Sequence, residues 1–351
     1  MVYKRRILSI DGGGIRGIIP ALILAQIEQK TGKQIHELFD LIAGTSTGGI
    51  LALGLTKPSA TNPTQAAYSA QDLADLYKNR GAEIFHEPWL EKLTPIDDIL
   101  RPKYSSKGRE TVLADQFGDT PITAALTEVF LASYEIEYRS PVFFTNRLDK
   151  ERQAGRSFRR LCQGISMHQA TMATSAAPTY FQPYVIPTRH TFADNPMPAL
   201  AGKKNYTLID GGVFANNPTA LALIEARASY QQDTGESLSL NDILVVSLGT
   251  GALTRVYTYE KAQHWGLVGW LQPLINIVLD GTSEVITAQL DQLLEPSHYY
   301  RFQGYLDLNK GNDEIDKVNP ENIAELESLV QDILAQEADR LTELCQTLLV
   351  T

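Results

Sequence analysis

Two glycine-rich segments near the N-terminus hold residues able to do chemistry, DGGGIRG at 11–17 and GTSTGG at 44–49. The second contains G-x-S-x-G, with Ser46 between Gly44 and Gly48. This pattern suits a nucleophilic serine on a sharp strand-to-helix turn. Larger neighbours would collide with the tight backbone there, and the N-terminus of the following helix favours developing negative charge. The chemistry is attack of a hydroxyl on a carbonyl carbon, with an acyl-enzyme as intermediate. The first segment, through Gly12, Gly14 and Gly17, satisfies G-x-G-x-x-G and so raises a dinucleotide site. Such a site also needs a carboxylate at the end of the second strand, to hold the ribose. That strand ends in Ala43-Gly44, and Asp40 stands at its beginning. The alternative is an oxyanion hole, in which the N–H groups of Gly12, Gly13 and Gly14 face the carbonyl attacked by Ser46. Turns after neighbouring parallel strands lie on one edge of a sheet, which would bring the two segments together.

A serine nucleophile needs a base. None of the six histidines (His36, His86, His168, His190, His264 and His298) stands in a loop-after-strand context like that of Ser46; His298, in EPSHYYRF, comes late enough to suit a hydrolase triad. Asp210, in LIDGGVFANNP, ends an apolar run and is followed by Gly211 and Gly212, which would expose its carboxylate at the same edge as Ser46. It could equally cap a helix starting near Pro218 or fix the turn. A carboxylate of ordinary pKa is a weak base for a serine, although desolvation would strengthen it. The residues alone leave both readings open. Arg16 either polarises a substrate or braces the loop against a carboxylate, and bracing is the reading favoured by the backbone donors already present. GTG at 249–251 is a turn at a strand end, since no G-x-x-x-x-G-K-[ST] occurs in the chain.

The elements that must position these residues follow a strand–turn–helix rhythm. RRILSI reads as a strand, IIPALILAQIEQKTG as a helix closed by Gly32, FDLIAG as a second strand and STGGILALGL as the start of a helix. That order opens a parallel sheet covered by helices. Residues 57–120 read as an insertion over the sheet: a polar loop, a helix over AAYSAQDLADLYKNRGAEIF, and an irregular stretch EPWLEKLTPIDDILRPKYSSKGRE. SPVFFTNRL, YTLIDGG and DILVVSLGTG supply further strands. WGLVGWLQPLINIVL, with Trp265 and Trp270, is either a lipid-facing lip or ordinary packing of a helix near the sheet, and packing is the plainer expectation. From 320 to 351 apolar residues recur at three- and four-residue steps, predicting one amphipathic helix packed on the domain.

The 351 residues, 43% apolar and 21% charged, suffice for a sizeable core. A net charge of −10 argues against a nucleic-acid partner and against docking to anionic membrane by charge alone. Cys162 and Cys345 have no metal-ligand spacing and read as reduced, buried thiols. No run approaches the roughly 18 apolar residues of a membrane span. The expectation is a cytoplasmic protein, with peripheral contact at membranes left open.

DGGGIRG, GTSTGG and DGG at 210–212, in this order, closely resemble the patatin-like phospholipase family. TSAAPTYF (174–181), DGGVFANNP (210–218) and VSLGTG (246–251) are similar to further segments of that family, while PKYSSKGRE and WGLVGWLQPLINIVLDGTSEV resemble its bacterial members. The resemblance covers about residues 5–305. It implies a single catalytic domain over 1–351 in a three-layer α/β/α fold with a mostly parallel central sheet. It further implies a serine–aspartate dyad without histidine, with Ser46 as nucleophile and Asp210 as general base. Gly12, Gly13 and Gly14 would form the oxyanion hole, with Arg16 in the family's basic position and Gly17, Gly44, Gly48, Gly211 and Gly212 supporting the turns. The implied activity is hydrolysis of acyl esters of phospholipids or lysophospholipids without metal or organic cofactor. An acyltransferase or thioesterase on the same dyad, or a storage or interaction protein with little hydrolysis, are the alternatives. Some bacterial relatives are switched on by a signal molecule, and no residue here identifies such a ligand. One departure stands out: where the family often carries an arginine before TSAAP, this chain has Met172, so an ion pair behind the site is expected to be missing.

Overall fold

RRILSI forms β1 (Arg5–Ile10), whose last four residues are buried. This computed structural model describes residues 2–85, 102–151, 158–187, 204–252, 256–306 and 314–350. The other strands are β2 (Leu41–Thr45), β3 (Glu128–Glu135), β4 (Ser140–Thr145), β5 (Arg159–Leu161), β6 (Tyr184–Pro187), β7 (Asn205–Asp210), β8 (Ile243–Leu248) and β9 (Tyr299–Phe302). The main helices are α1 (Ile18–Thr31), α2 (Thr47–Gly54), α3 (Ala70–Ile84), α4 (Ser106–Phe117), α5 (Met167–Thr174), α6 (Gly212–Ala215), α7 (Thr219–Thr234), α8 (Leu267–Leu293), α9 (Pro320–Gln336) and α10 (Ala338–Leu349).

The nine strands form one sheet in the order β5-β4-β3-β2-β1-β8-β9, with β6 and β7 attached off that path. From β3 through β9 the neighbours are parallel, whereas β4 and β7 run antiparallel to β3. Side chains alternate between the two faces of a strand. Leu8 and Ile10 thus pack with α1, α3, α9 and α10 on one face, while Ile7, Leu41 and Ala43 pack with α7 and the C-terminal end of α8 on the other. A third cluster gathers β3, β4 and β7 beneath α4 and α5. Helices therefore cover both faces of a mostly parallel sheet, the three-layer α/β/α arrangement.

Two expectations need correction. The stretch PKYSSKGRE is not irregular throughout: α4 begins at Ser106, where the Ser105 side chain accepts the Lys107 N–H. Arg109, Val112, Leu113 and Phe117 give this helix its buried face. EPWLEKLTPIDDIL lies outside the described residues. The C-terminal segment is two helices rather than one, joined at Glu337, whose backbone (φ −104°, ψ 18°) leaves helical values. The apolar spacing carries the reason, because the stripe ending at Leu334 resumes only at Leu341. Each helix then sends its own apolar face into the cluster built around α1.

The start of the glycine loop is held by a buried ion pair. Arg301 on β9 reaches past β8 to form a fork with Asp11 at 2.6 and 3.0 Å, and also donates to Ser247 Oγ at 2.9 Å. Replacing Asp11 by Ala would leave a buried guanidinium without its counter-charge. The expected loss is about 3–5 kcal/mol of folding stability, measured by chemical denaturation; a loss under about 1 kcal/mol would mean that the pair contributes little more than a surface bridge.

Candidate active site

The register of β3 brings the site together. β2 lies beside β3 up to the pair Thr45–Ala132, and the next residue of β3, Ser133, pairs with Asp210, the last residue of β7. Since β2 is parallel and β7 antiparallel to β3, their C-terminal ends point at one another along one edge of the same strand. Asp210 therefore reaches Ser46 from the opposite direction to that of a parallel strand. Hydroxyls close the junction: Thr174 Oγ1 donates to Ala132 O at 2.6 Å and accepts the Ser46 N–H at 3.0 Å, while Ser133 Oγ donates to Ile209 O at 2.7 Å. Asp210 N–H donates to Ala176 O at 3.0 Å.

Ser46 sits at φ 56°, ψ −121°, a region that a non-glycine residue enters only when its surroundings enforce it. Here the enforcement is the crowding predicted from the motif. A Cβ on Gly48 would run into the carbonyl of Ile10, and one on Gly44 would run into the backbone of Gly48. The elbow turns directly into α2, whose first N–H groups have no intrahelical partner. Thr47, behind it, shares a hydrogen bond with Tyr77 on α3.

Asp210 is buried, and its carboxylate lies close enough to the Ser46 side chain to feel the hydroxyl. The Gly212 N–H donates to Asp210 Oδ1 at 2.7 Å. Burial pushes this carboxyl up to about 6, against the opposing pull of the Ser46 hydroxyl, the Gly212 N–H and the Arg109 charge. A base with that pKa is ionised at neutral pH and still basic enough to take a proton as a hydroxyl attacks. The helix starting at Thr219 is not capped by Asp210; its N-terminus is met by Asn217, whose Oδ1 accepts the Thr219 N–H at 3.0 Å.

The glycine loop faces the same spot, with a division of labour that its sequence does not display. The Gly12 N–H already donates to Asn216 O at 3.0 Å, so Gly12 is not a free oxyanion donor; it makes room, because a Cβ there would strike Asn216 Oδ1. The N–H groups of Gly13 and Gly14 have no partner among the described residues, and both glycines line the cavity beside Ser46. Gly14 has φ +59° and faces the carbonyl of Ile315, which accepts the Ile15 N–H at 2.8 Å. Arg16 is buried and donates to Gly13 O at 3.3 Å and to Gly251 O at 3.4 Å, with Asp280 on α8 close enough to feel its charge. These bonds tie Arg16 to the backbone of its own loop and of the turn after β8. Gly17 packs against Thr47, and Gly211 against the Ala132 carbonyl.

Above Ser46 and Asp210 lies a cavity of about 310 Å³ with a largely hydrocarbon wall, including Ile50, Tyr77, Phe85, Phe181, Leu274 and Leu279. Four histidines do not enter it. His298 precedes β9 and so lies at the edge of the sheet opposite Ser46, its Nδ1 3.1 Å from Ile243 O. His36, His168 and His264 are absent from the cavity wall, and His86 and His190 lie outside the described residues. Among the described residues no group of three or more His, Cys, Asp or Glu is arranged to hold a metal ion.

Sequence reasoning missed two contributors. Met172 is buried among apolar residues, yet a buried cation does stand behind Asp210, supplied by Arg109 of α4. Its Nη1 donates to Ser175 O and Ser175 Oγ, its guanidinium lies 4.2 Å from the Phe181 ring centre, and Nε and Nη2 have no partner among the described residues. Burial drops the Arg109 pKa to about 10, which leaves it charged at neutral pH. The second contributor is Ile315, which lines the cavity from a segment tied down by Asp316: this carboxylate accepts from Tyr104 at 2.6 Å and from Lys103 at 2.5 Å. Arg109 lies in a stretch that reads as irregular in the sequence, and no spacing links it to Asp210.

Residues 8–223 match the patatin-like phospholipase family. Patatin-T5 of Solanum tuberosum is 30% identical over 354 residues, covering 95% of this chain and 84% of its own. Patatin-like protein 2 of Arabidopsis thaliana is 31% identical over 360 residues, covering 95% and 82%. Probable inactive patatin-3-Kuras 1, also of Solanum tuberosum, is 34% identical over 283 residues, covering 76% and 69%.

The Asp210 environment generates a pH prediction. A base must be ionised to act, so reaction of Ser46 with a fluorophosphonate is expected to rise with pH through a midpoint near 6 and then level off. The Arg109 charge favours the carboxylate, so Arg109→Met is expected to move that midpoint up by about one unit. An unmoved midpoint in folded Arg109→Met protein would remove Arg109 from the electrostatics of Asp210.

Proposed function

Because the chain belongs to the patatin-like phospholipase family, a family of lipid acyl hydrolases, we propose that it cleaves fatty-acyl esters of phospholipids or lysophospholipids through Ser46 and Asp210. The observation that carries the reading is the buried Asp210 carboxylate beside the Ser46 hydroxyl, both on the floor of an apolar cavity. The hydrocarbon wall suits an acyl chain, and the polar floor suits the ester carbonyl.

In the first step Ser46 Oγ attacks the carbonyl carbon while Asp210 takes the hydroxyl proton. The developing oxyanion is met by the N–H groups of Gly13 and Gly14, aided by the N-terminus of α2. The tetrahedral intermediate collapses, the ester C–O bond breaks, and the proton on Asp210 passes to the departing alcohol. Water then enters, gives a proton to Asp210 and attacks the acyl-enzyme; collapse releases the fatty acid and returns the proton to Ser46. Asp210 is suited to both directions of transfer because its pKa of about 6 lies near neutrality.

Ser46→Ala is expected to lower hydrolysis of a phospholipid or lysophospholipid by at least about 10³-fold, and Asp210→Asn by about 10²–10⁴-fold. Both variants should keep the wild-type circular dichroism spectrum. Fatty-acid release by purified protein, with mass spectrometry of the fluorophosphonate adduct, checks this; an adduct elsewhere than Ser46, or full activity in Ser46→Ala, would overturn the assignment.

A further inference from the structure

The first half of α8 is apolar and exposed among the described residues. From Leu267 to Leu279 it contains no charged residue. Leu267 is 95% exposed, Leu271 50%, Leu274 52% and Val278 36%, and these recur at steps of four, three and four residues, making one continuous stripe. Val268, Trp270 and Ile277 widen it. The opposite face is engaged: Leu279 packs toward Gly212, Ser283 Oγ accepts from Asn216 at 3.2 Å, and Leu290 reaches the core. The expectation that this segment simply packs near the sheet therefore fails for its first half.

Its edge is aromatic. Trp265 and Trp270 meet edge to face at 5.0 Å, and Tyr257 packs on Trp265 at 5.4 Å while accepting a hydrogen bond from Asn276. Large indole and phenol rings of this kind settle where hydrocarbon meets water. Pro273 removes one helical N–H from the exposed stretch, leaving a carbonyl that favours water over hydrocarbon. Among the described residues no helix is long and apolar enough to cross a membrane. These features fit a helix lying in an interface plane.

Two side chains decide what the stripe meets. Leu274 and Val278 belong to it and also form part of the cavity wall. A second protein seated on the stripe would cover that side of the cavity, whereas a lipid surface seated there would offer acyl chains to it. We propose that the exposed face of Leu267–Val278 docks on an uncharged lipid–water interface and that substrate enters the cavity between α8 and that interface. The chain's net charge of −10 directs the choice toward zwitterionic rather than anionic lipid. The proposal rests on the acyl-hydrolase reading of the cavity.

The test separates docking from chemistry. Full-length protein carrying Ser46→Ala, which cannot consume the lipid, is floated with phosphatidylcholine vesicles, with and without Leu267→Asp and Leu271→Asp. Neither leucine lines the cavity. Binding is expected to fall by about tenfold or more in the double variant. With Ser46 restored, the double variant should label with a soluble fluorophosphonate at the wild-type rate while hydrolysing vesicle lipid at least about tenfold more slowly. Vesicle binding that is absent in the parent, or equal in parent and double variant, overturns the proposal. So does a parent that sediments as a dimer and a double variant that sediments as a monomer, which would assign the stripe to a second copy. Failure of the acyl-hydrolase reading has a different signature, the absence of labelling at Ser46 in all variants.

Discussion

Between Ala132 and Ser133 the neighbour of β3 changes from β2 to β7, and the site depends on that change. Two strands that end head to head would normally leave backbone groups unpaired at the gap, and buried unpaired groups are costly. Thr174 and Ser133 fill the gap with hydroxyls, one serving Ala132 O and the Ser46 N–H, the other serving Ile209 O. The junction thereby fixes the ends of both strands, and with them Ser46 and Asp210. The strained backbone of Ser46 is tolerable for the same reason: the residues on either side are held by strand pairing and by α2.

Much of this was legible in the sequence, and the legible parts share a cause. β1, β2 and β8 are short apolar runs ended by glycine turns, and α1 is closed by Gly32 in a left-handed conformation. Local patterning dictates such elements. GTSTG announced its own turn because only small residues fit beside Ile10 and Gly48. The direction of β7 was not legible, since an apolar strand followed by two glycines looks the same running either way. The contacts of Arg109 and Ile315 were hidden for a related reason: each lies far along the chain from Ser46 and Asp210, and only the fold reports the distance between them.

The electrostatic design is one of opposed pulls. Burial raises the Asp210 carboxyl, while Ser46, the Gly212 N–H and the Arg109 charge lower it, and the balance falls near neutrality. Arg109 is itself desolvated, its positive charge steadied by the Ser175 carbonyl and the Phe181 ring. A cation on a helix remote in sequence thus stands behind Asp210 even though Met172 occupies the position where an arginine was expected.

The Ile315 carbonyl that receives the Ile15 N–H has a consequence for how the molecule is made. The serine elbow and the glycine loop are specified within the first fifty residues, yet the loop is clamped by Arg301 and Ile315, and α1 is covered by α9 and α10, all from the last part of the sequence. A ribosome delivers these pieces in that order. A nascent chain displays Ser46 early but has neither the counter-charge for Asp11 nor the wall that Ile315 gives the cavity until residues 301–315 have been added. Assembly of the site is thus timed by translation itself, and a chain cut short before these residues is left without them.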